Sequence, residues 1–163
     1  MAIEYDLDCA TDLSANEVAA HLEEVGKETG VLDASVTAER LVEGAATRRG
    51  TWITVVTPRP PQPWHPIVID LGFAPTVDVA FRMDKGVEVS DQQDDMIRLV
   101  APLLRRVDGD AVLHFQFEQV WLLRRNGELS LSEEDDLWRP GRLSLMTQPY
   151  HRETHIMDSL YSD

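Results

Sequence analysis

Apolar and acidic side chains alternate along the first residues of the chain. The apolar positions are Ile3, Tyr5, Leu7 and Cys9, and an acidic residue stands between each pair. A period of two is typical of a strand that buries one face and exposes the other. Residues 2–9 are therefore predicted to form a half-buried strand, in which the single cysteine is a small core side chain.

A helical period follows this strand. The apolar positions are now Val18, Leu22 and Val25. This spacing places them on one face of a helix. Ser14 and Glu17 have the spacing of a capping box, in which each side chain pairs with the backbone N–H of the other residue. The pattern predicts a helix over residues 15–28.

The middle of the chain predicts two strands and a stiff loop. The strands are expected over residues 37–45 and 51–57, the second of which is rich in β-branched side chains. Five prolines within residues 58–66 exclude a helix or an interior strand there. We expect a polyproline II loop that connects two elements; a ligand for an aromatic groove is the second interpretation.

A further strand, residues 76–85, precedes a second helix. Ser90 and Gln93 repeat the capping-box spacing at its start. The acidic side chains of its first turns are Asp91, Asp94 and Asp95. They favour the positive end of the helix dipole, and two arginines at the other end favour the negative one. Pro102 inside this helix is expected to kink it.

The remaining pattern predicts strands and a fold class. Residues 110–117 alternate, and two more strands flank Asn126 and Gly127, a pair suited to a type I′ hairpin turn. The predicted order is β-α-β-β followed by β-α-β-β-β. This order indicates an α+β fold, with two main helices packed on one face of an antiparallel-rich sheet, in a single domain over residues 1–163.

The acidic segment SEEDDLW, residues 132–138, is explained well by local structure. Ser132 can accept a hydrogen bond from the N–H of Asp135, as at the start of a short helix that stops before Pro140. A calcium-type loop needs spaced ligands and a glycine, and the segment has neither. A capped acidic turn that ends in Trp138 still suits a protein interface, where tryptophan is enriched.

Charge restricts the classes of partner. The net charge is −14 and the sequence pI about 4.6, so the surface repels nucleic acid and anionic membranes. A basic protein partner would be attracted, although acidity also serves solubility alone. No secretory signal or membrane-spanning run is present in the sequence, which predicts a cytoplasmic protein.

Candidate catalytic residues are few. The two histidines of HRETH, residues 151–155, are four residues apart, so in a helix they could bind one zinc ion. The metalloprotease pattern, however, requires glutamate where Arg152 stands. The tail from about residue 148 is also expected to be poorly ordered. An enzyme or ligand-binding domain is the alternative function, with a pocket between sheet and helices. Its polar residues would be Asp84, His114, Glu118 and Arg124.

The run from residue 91 to residue 138, DQQDDMIRLVAPLLRRVDGDAVLHFQFEQVWLLRRNGELSLSEEDDLW, resembles the immunity proteins of the swarming-inhibition (Sit) toxin systems. The opening MAIEYDLDCATDLS and the segment VDVAFRMDK are similar to that family as well. The resemblance implies a cytoplasmic protein that binds and neutralises one cognate toxin. It implies no catalytic residue, metal or cofactor.

A toxin would dock where acidic side chains and an aromatic anchor coincide. The toxin-binding candidates are Asp91, Asp94, Asp95, Glu133, Glu134, Asp136 and Trp138. Only the second group places a large aromatic side chain beside the charges. Such an anchor supplies most of the binding energy at an interface, while rim charges mainly set the association rate.

Overall fold

An eight-stranded sheet runs through residues 2–158, which are the residues that the computed structural model describes. The strands are β1 Glu4–Ala10, β2 Ala45–Ala46, β3 Trp52–Val56, β4 Val77–Arg82, β5 Asp110–Phe115, β6 Gln119–Arg125, β7 Glu128–Leu131 and β8 His151–Arg152. The helices are α1 Ala15–Thr29, α2 Ala38–Glu43, α3 Val89–Arg106 and α4 Pro140–Leu143, with a π-helical segment at Ile67–Leu71.

The strand order is β2-β3-β4-β1-β5-β6-β7-β8. Every neighbouring pair is antiparallel except β7 and β8, which are parallel. The predicted α+β class and antiparallel-rich sheet are confirmed. The hairpin between β6 and β7 turns at Asn126 and Gly127, both with positive φ as a type I′ turn requires.

Helices α1 and α3 pack on one face of the sheet, as predicted. The odd-numbered side chains of β1 are buried against them, together with Val18, Leu22 and Val25 of α1. The α1 capping box is present, because Ser14 and Glu17 bond each other's backbone N–H at 3.1 Å. The apolar side chains that alternate along β1 and those that recur along α1 therefore pack together in one core.

The predicted strand over residues 37–45 is wrong. Thr37 instead caps α2, since its hydroxyl accepts from the N–H of Arg40, and Glu23 accepts from the N–H of Ala38 at 2.7 Å. Strand pairing begins only at β2. Alanine, glutamate, arginine and leucine are strong helix formers, and this composition favours the helix that is found.

The predicted cap of α3 is also wrong. The helix begins at Val89, and its N-cap residue Glu88 makes no side-chain capping bond. Ser90 lies inside the helix, where its hydroxyl accepts from Arg139 at 2.9 Å and from Arg142 at 3.2 Å. The helix continues through Pro102 to Arg106.

The acidic segment forms a turn, and the helix follows it. Ser132 accepts from the N–H of Glu134 at 3.2 Å, rather than from that of Asp135. The helix expected to stop before Pro140 in fact begins there, as α4. Proline is favoured at a first helical position, where its missing N–H has no helical partner to lose.

The second face of the sheet carries a partial cover. The π-helical segment, which directly follows the proline-rich loop, packs there over β5 and β6. The apolar cluster consists of Ile67, Leu71, Phe73, Val112, Val120, Leu123 and Met157. Part of the tail therefore reaches this face, after β8 has paired with β7. Within residues 2–158, no helix has the length and apolar character that crossing a bilayer requires.

Candidate functional site

The acidic turn, defined here as residues 133–136, is exposed at all four positions. Glu133 and Thr154 bond each other's backbone N–H at 3.1 Å, which ties the turn to the tail. Glu134 accepts from the side chain of Gln119 at 2.9 Å. The turn thus presents carboxylates to solvent on a backbone that is held at both ends.

Trp138 does not stand beside these carboxylates as an exposed anchor. Its side chain is 1% exposed, and its indole N–H donates to the carbonyl oxygen of Trp121 at 2.8 Å. The two rings meet edge to face, with centroids 6.2 Å apart. An anchor at an interface must be exposed, and this ring is not. The acidic turn can therefore attract a partner through its charge only.

The three carboxylates of α3 are engaged in ion pairs within the chain. Asp95 is buried, and its two oxygens lie 3.3 Å from Arg49 and 2.8 Å from Arg98. Asp91 lies 3.6 Å from the same Arg49. Arginine therefore offsets much of the charge that this helix start would show to a partner.

Asp94 belongs to a buried arginine site that sequence reasoning missed. Arg142 is 1% exposed, and its Nε lies 2.6 Å from the Asp94 carboxylate. Its other nitrogens donate to Ser90, Gln93 and the carbonyl oxygen of Leu137. A buried guanidinium needs this full set of acceptors, so Arg142 fixes the acidic turn and α4 onto α3.

A second carboxylate group lies on the other face of the sheet, and sequence reasoning did not identify it. It comes from the polar positions of β1, where Asp8 accepts from His114 on β5 at 2.7 Å. The other ring nitrogen of His114 accepts from the N–H of Phe117 at 3.1 Å. These two bonds assign the neutral tautomer with its proton on Nε2.

Asp6 on β1 and Asp78 on β4 are diagonal neighbours on this face, because Asp6 pairs with Ala80 and Asp8 pairs with Asp78. Burial is the main cause that raises the pKa of both groups, and the charges of Asp8 and Asp6 raise that of Asp78 further. One oxygen of Asp78 is buried without a hydrogen-bond partner among the described residues.

The same face carries exposed apolar side chains on β3. Trp52 is 46% and Val56 39% exposed, while Ile53 and Val55 between them point into the core. The apolar cluster that covers β5 and β6 includes no residue of β3 or β4 among those described. We call this part of the sheet, which that cluster does not reach, the open face; its members are Glu4, Asp6, Trp52, Thr54, Val56 and Asp78.

The residues of the predicted enzyme pocket do not come together. Arg124 reaches three carbonyl oxygens at the end of α3, those of Leu104, Val107 and Gly109. His114 lies on the opposite face of the sheet, with Asp8. Asp84 accepts from the N–H of Gly86 at 2.8 Å. One surface cavity of about 400 Å³ includes none of these residues, and another of about 470 Å³ includes Arg124 but not the other three.

Metal and nucleophile chemistry find little support. His151 and His155 lie in β8 and the extended tail rather than in a helix, and both approach Glu153, at 3.1 and 3.5 Å. Within residues 2–158, no group of three histidine, cysteine or acidic side chains is arranged to hold a metal ion. Burial raises the pKa of the Cys9 thiol to about 12, which keeps it protonated.

Comparison with known proteins identifies one family. The family model described as SitI3-like matches residues 3–142, from β1 to α4. No curated protein matches the chain, and no solved structure does. The match spans most of the sequence and includes the run of residues 91–138 on which the resemblance rested. The chain therefore belongs to the SitI3-like family.

Proposed function

We propose that this protein is a cytoplasmic immunity protein that binds one cognate toxin and neutralises it. The observation that carries the proposal is the SitI3-like match over residues 3–142. Neutralisation by binding needs a stable scaffold and a specific surface. Of the four residues expected to form a pocket, Asp84, His114 and Arg124 instead make structural hydrogen bonds, and Glu118 is exposed.

The proposed partner is a basic protein domain. A chain of net charge −14 attracts a cationic protein and accelerates its encounter. Asp91, Asp94 and Asp95 contribute to this field only in part, because arginines pair with each of them. Glu133, Glu134 and Asp136 remain proposed contributors, through long-range attraction rather than through an aromatic anchor.

Genomic neighbourhood and co-expression test the proposal. The toxin candidate is the variable C-terminal domain of a secreted protein encoded beside this gene. We expect that its induction arrests growth in a bacterial host and that co-expression of this protein restores growth. The purified proteins should then form a complex of fixed stoichiometry. Continued growth arrest in the presence of abundant, folded protein would falsify the proposal.

An enzyme that inactivates the toxin or its product is the competing function. It differs in the amount of protein that protection requires. A binder protects only when it matches the toxin mole for mole, whereas an enzyme protects at a small fraction of that amount. Titration of the protein against a fixed amount of toxin in a cell-free expression reaction separates the two, and full protection at one-hundredth of the toxin concentration would favour the enzyme.

A further inference from the structure

The open face supplies the apolar contact that the acidic turn lacks. Trp52 and Val56 lie on the same side of β3, two positions on either side of Thr54, and both are more than one-third exposed. Tryptophan is enriched among the residues that dominate binding energies at protein interfaces. The ring of Trp52 also has a defined position, because it packs against the backbone of Gly44.

Carboxylates adjoin these apolar side chains through the strand register. Val56 is opposite Asp78 on β4, and Asp78 is opposite Asp8 on β1. One end of the face pairs Trp52 with Arg82, which in turn is opposite Glu4. Directly opposed side chains of antiparallel strands are separated by about 5 Å at Cβ. A single partner surface can therefore contact both the apolar edge and the acidic rows.

Charge decides which occupant suits this face. A second copy of the chain also has a net charge of −14, and its carboxylates would repel those of the first copy. A surface that carries lysine or arginine beside an apolar group complements both parts of the face. Arg82 is the one cationic neighbour in the paired rows of β1, β3 and β4.

We infer that the open face is the docking surface for the toxin, with Trp52 and Val56 as apolar anchors and Asp6 and Asp78 as acceptors for a toxin lysine or arginine. This inference rests on the proposed function. It assigns different roles to two surfaces: the acidic turn attracts the partner from a distance, and the open face holds it.

Docking at Asp6 and Asp78 is coupled to a proton. Without a partner, Asp78 holds a proton near neutral pH, because burial and the neighbouring carboxylates raise its pKa to about 10. A guanidinium or ammonium group that binds there replaces that proton with a positive charge, so one proton leaves to solvent. The other charged or titratable groups around the pair are Glu4 and Asp8 on β1, Arg82 on β4, His114 on β5 and, near Asp8, His65 from the loop. Affinity is therefore expected to rise with pH between 6 and 8.

Binding kinetics with matched variants test the inference, and the probe is the toxin domain that the wild-type protein neutralises. Trp52→Ala and Thr54→Lys alter the open face. Tyr150→Ala removes an exposed aromatic ring next to β8, at the opposite edge of the sheet. For charge, the double variant Glu4→Gln/Asp6→Asn is compared with Glu134→Gln/Asp136→Asn, which replaces the same number of carboxylates.

We expect that Trp52→Ala and Thr54→Lys each raise the dissociation rate at least tenfold, while Tyr150→Ala changes it less than twofold. The Glu4/Asp6 variant should raise the dissociation rate, and the Glu134/Asp136 variant should lower only the association rate. Calorimetry in buffers of different ionisation enthalpy should detect proton release on binding, and Asp78→Asn should abolish it. Circular dichroism and urea unfolding establish that each variant is folded.

The outcomes separate the surface from the function. If the wild-type protein protects cells and both open-face variants bind with unchanged kinetics, the docking surface is wrong and the immunity function stands. If the wild-type protein neither protects nor binds, both are wrong. A wild-type dimer that Trp52→Ala converts to a monomer would assign the face to a second copy instead, and would overturn the inference.

Discussion

The indole N–H of Trp138 donates a hydrogen bond to the backbone oxygen of Trp121, 2.8 Å away in the core. This bond joins Trp138, two residues beyond the acidic turn, to the central part of β6. It turns a side chain expected at an interface into a structural one, since its ring is 1% exposed.

Truncation of Trp138 should therefore weaken the fold. We expect Trp138→Ala to lower the free energy of unfolding by about 3–5 kcal/mol, because a large cavity forms and the carbonyl oxygen of Trp121 loses its donor. Urea denaturation measures the change. Trp64→Ala is the control, since that ring is 69% exposed, and a surface substitution changes stability by about 0.5 kcal/mol or less. Equal effects of the two substitutions would contradict the structural role.

The pair Asp6–Asp78 predicts a particular dependence of stability on pH. Burial raises the pKa of Asp78 in the folded protein, so it binds a proton that the unfolded chain has already lost above about pH 4. The unfolded state then holds fewer protons than the folded one, and stability falls as pH rises toward the raised pKa. The limiting slope for one proton is about 1.4 kcal/mol per pH unit.

Asp78→Asn should remove most of this slope and stabilise the protein at pH 8, because the carboxyl must take up a proton on folding and the amide need not. Urea unfolding at half-unit steps from pH 5.5 to 8.5 measures it. Asp136→Asn, in the exposed acidic turn, should leave the slope unchanged. A slope for Asp78→Asn that equals the wild-type slope would show that the pair carries no excess proton.

The amide of Gln92 joins three segments. Its oxygen accepts from the hydroxyl of Thr51 and the N–H of Asp84, both at 2.8 Å, and its nitrogen donates to the carbonyl oxygens of Asp84 and Val87. Gln92→Glu keeps the shape, removes both donors and buries a charge. We expect a loss of about 3 kcal/mol or more in unfolding free energy. Gln62→Glu, in the exposed proline-rich loop, is the matched control and should have almost no effect.

Gly44 is predicted to position Trp52. Its φ is +119°, and a Cβ there would lie 2.4 Å from the indole Cζ2 of Trp52. We expect Gly44→Ala to cost about 2 kcal/mol or more, from backbone strain and steric overlap together. Gly30→Ala is a suitable comparison, because its φ is also positive but no atom lies within 4 Å of the added methyl group.

A double-mutant cycle separates the two causes. If the ring produces the overlap, Gly44→Ala should cost clearly less in a Trp52→Ala background than in the wild type. An equal loss of stability in the two backgrounds would assign the whole effect to the backbone conformation. Gly44 would then not determine the position of the Trp52 ring.

Local patterns predicted those parts of the fold in which a single segment decides the structure. The alternation of β1, the capping box at Ser14 and the turn at Asn126 each depend on neighbouring residues. Residues 37–45 show the limit, because an apolar pattern of that length fits a strand or a short helix. There the bond from the N–H of Ala38 to Glu23, fifteen residues away, supports the helix.

The candidate site was less predictable, because it depends on pairings between distant segments. Asp6 and Asp78 are separated by most of the first half of the chain, and only the register of β1 with β4 brings them together. From the sequence, the ring of Trp138 could point into solvent or into the core. The hydrogen bond from its indole N–H to the carbonyl oxygen of Trp121 holds it in the core. Composition predicted an acidic surface, but it could not assign the carboxylates of α3 to arginine partners.

The two-residue strand β8 has a consequence for self-association. Within the described residues, β2 and β8 are the outermost strands of the sheet, and each is two residues long. Short edges offer few free N–H and C=O groups on which another chain could add as a strand. Without the tail, β7 would become a four-residue edge, with its apolar side chains Leu129 and Leu131 beside it. The tail therefore protects the sheet against edge-to-edge aggregation, because it keeps β7 paired and leaves only two-residue strands at the edges.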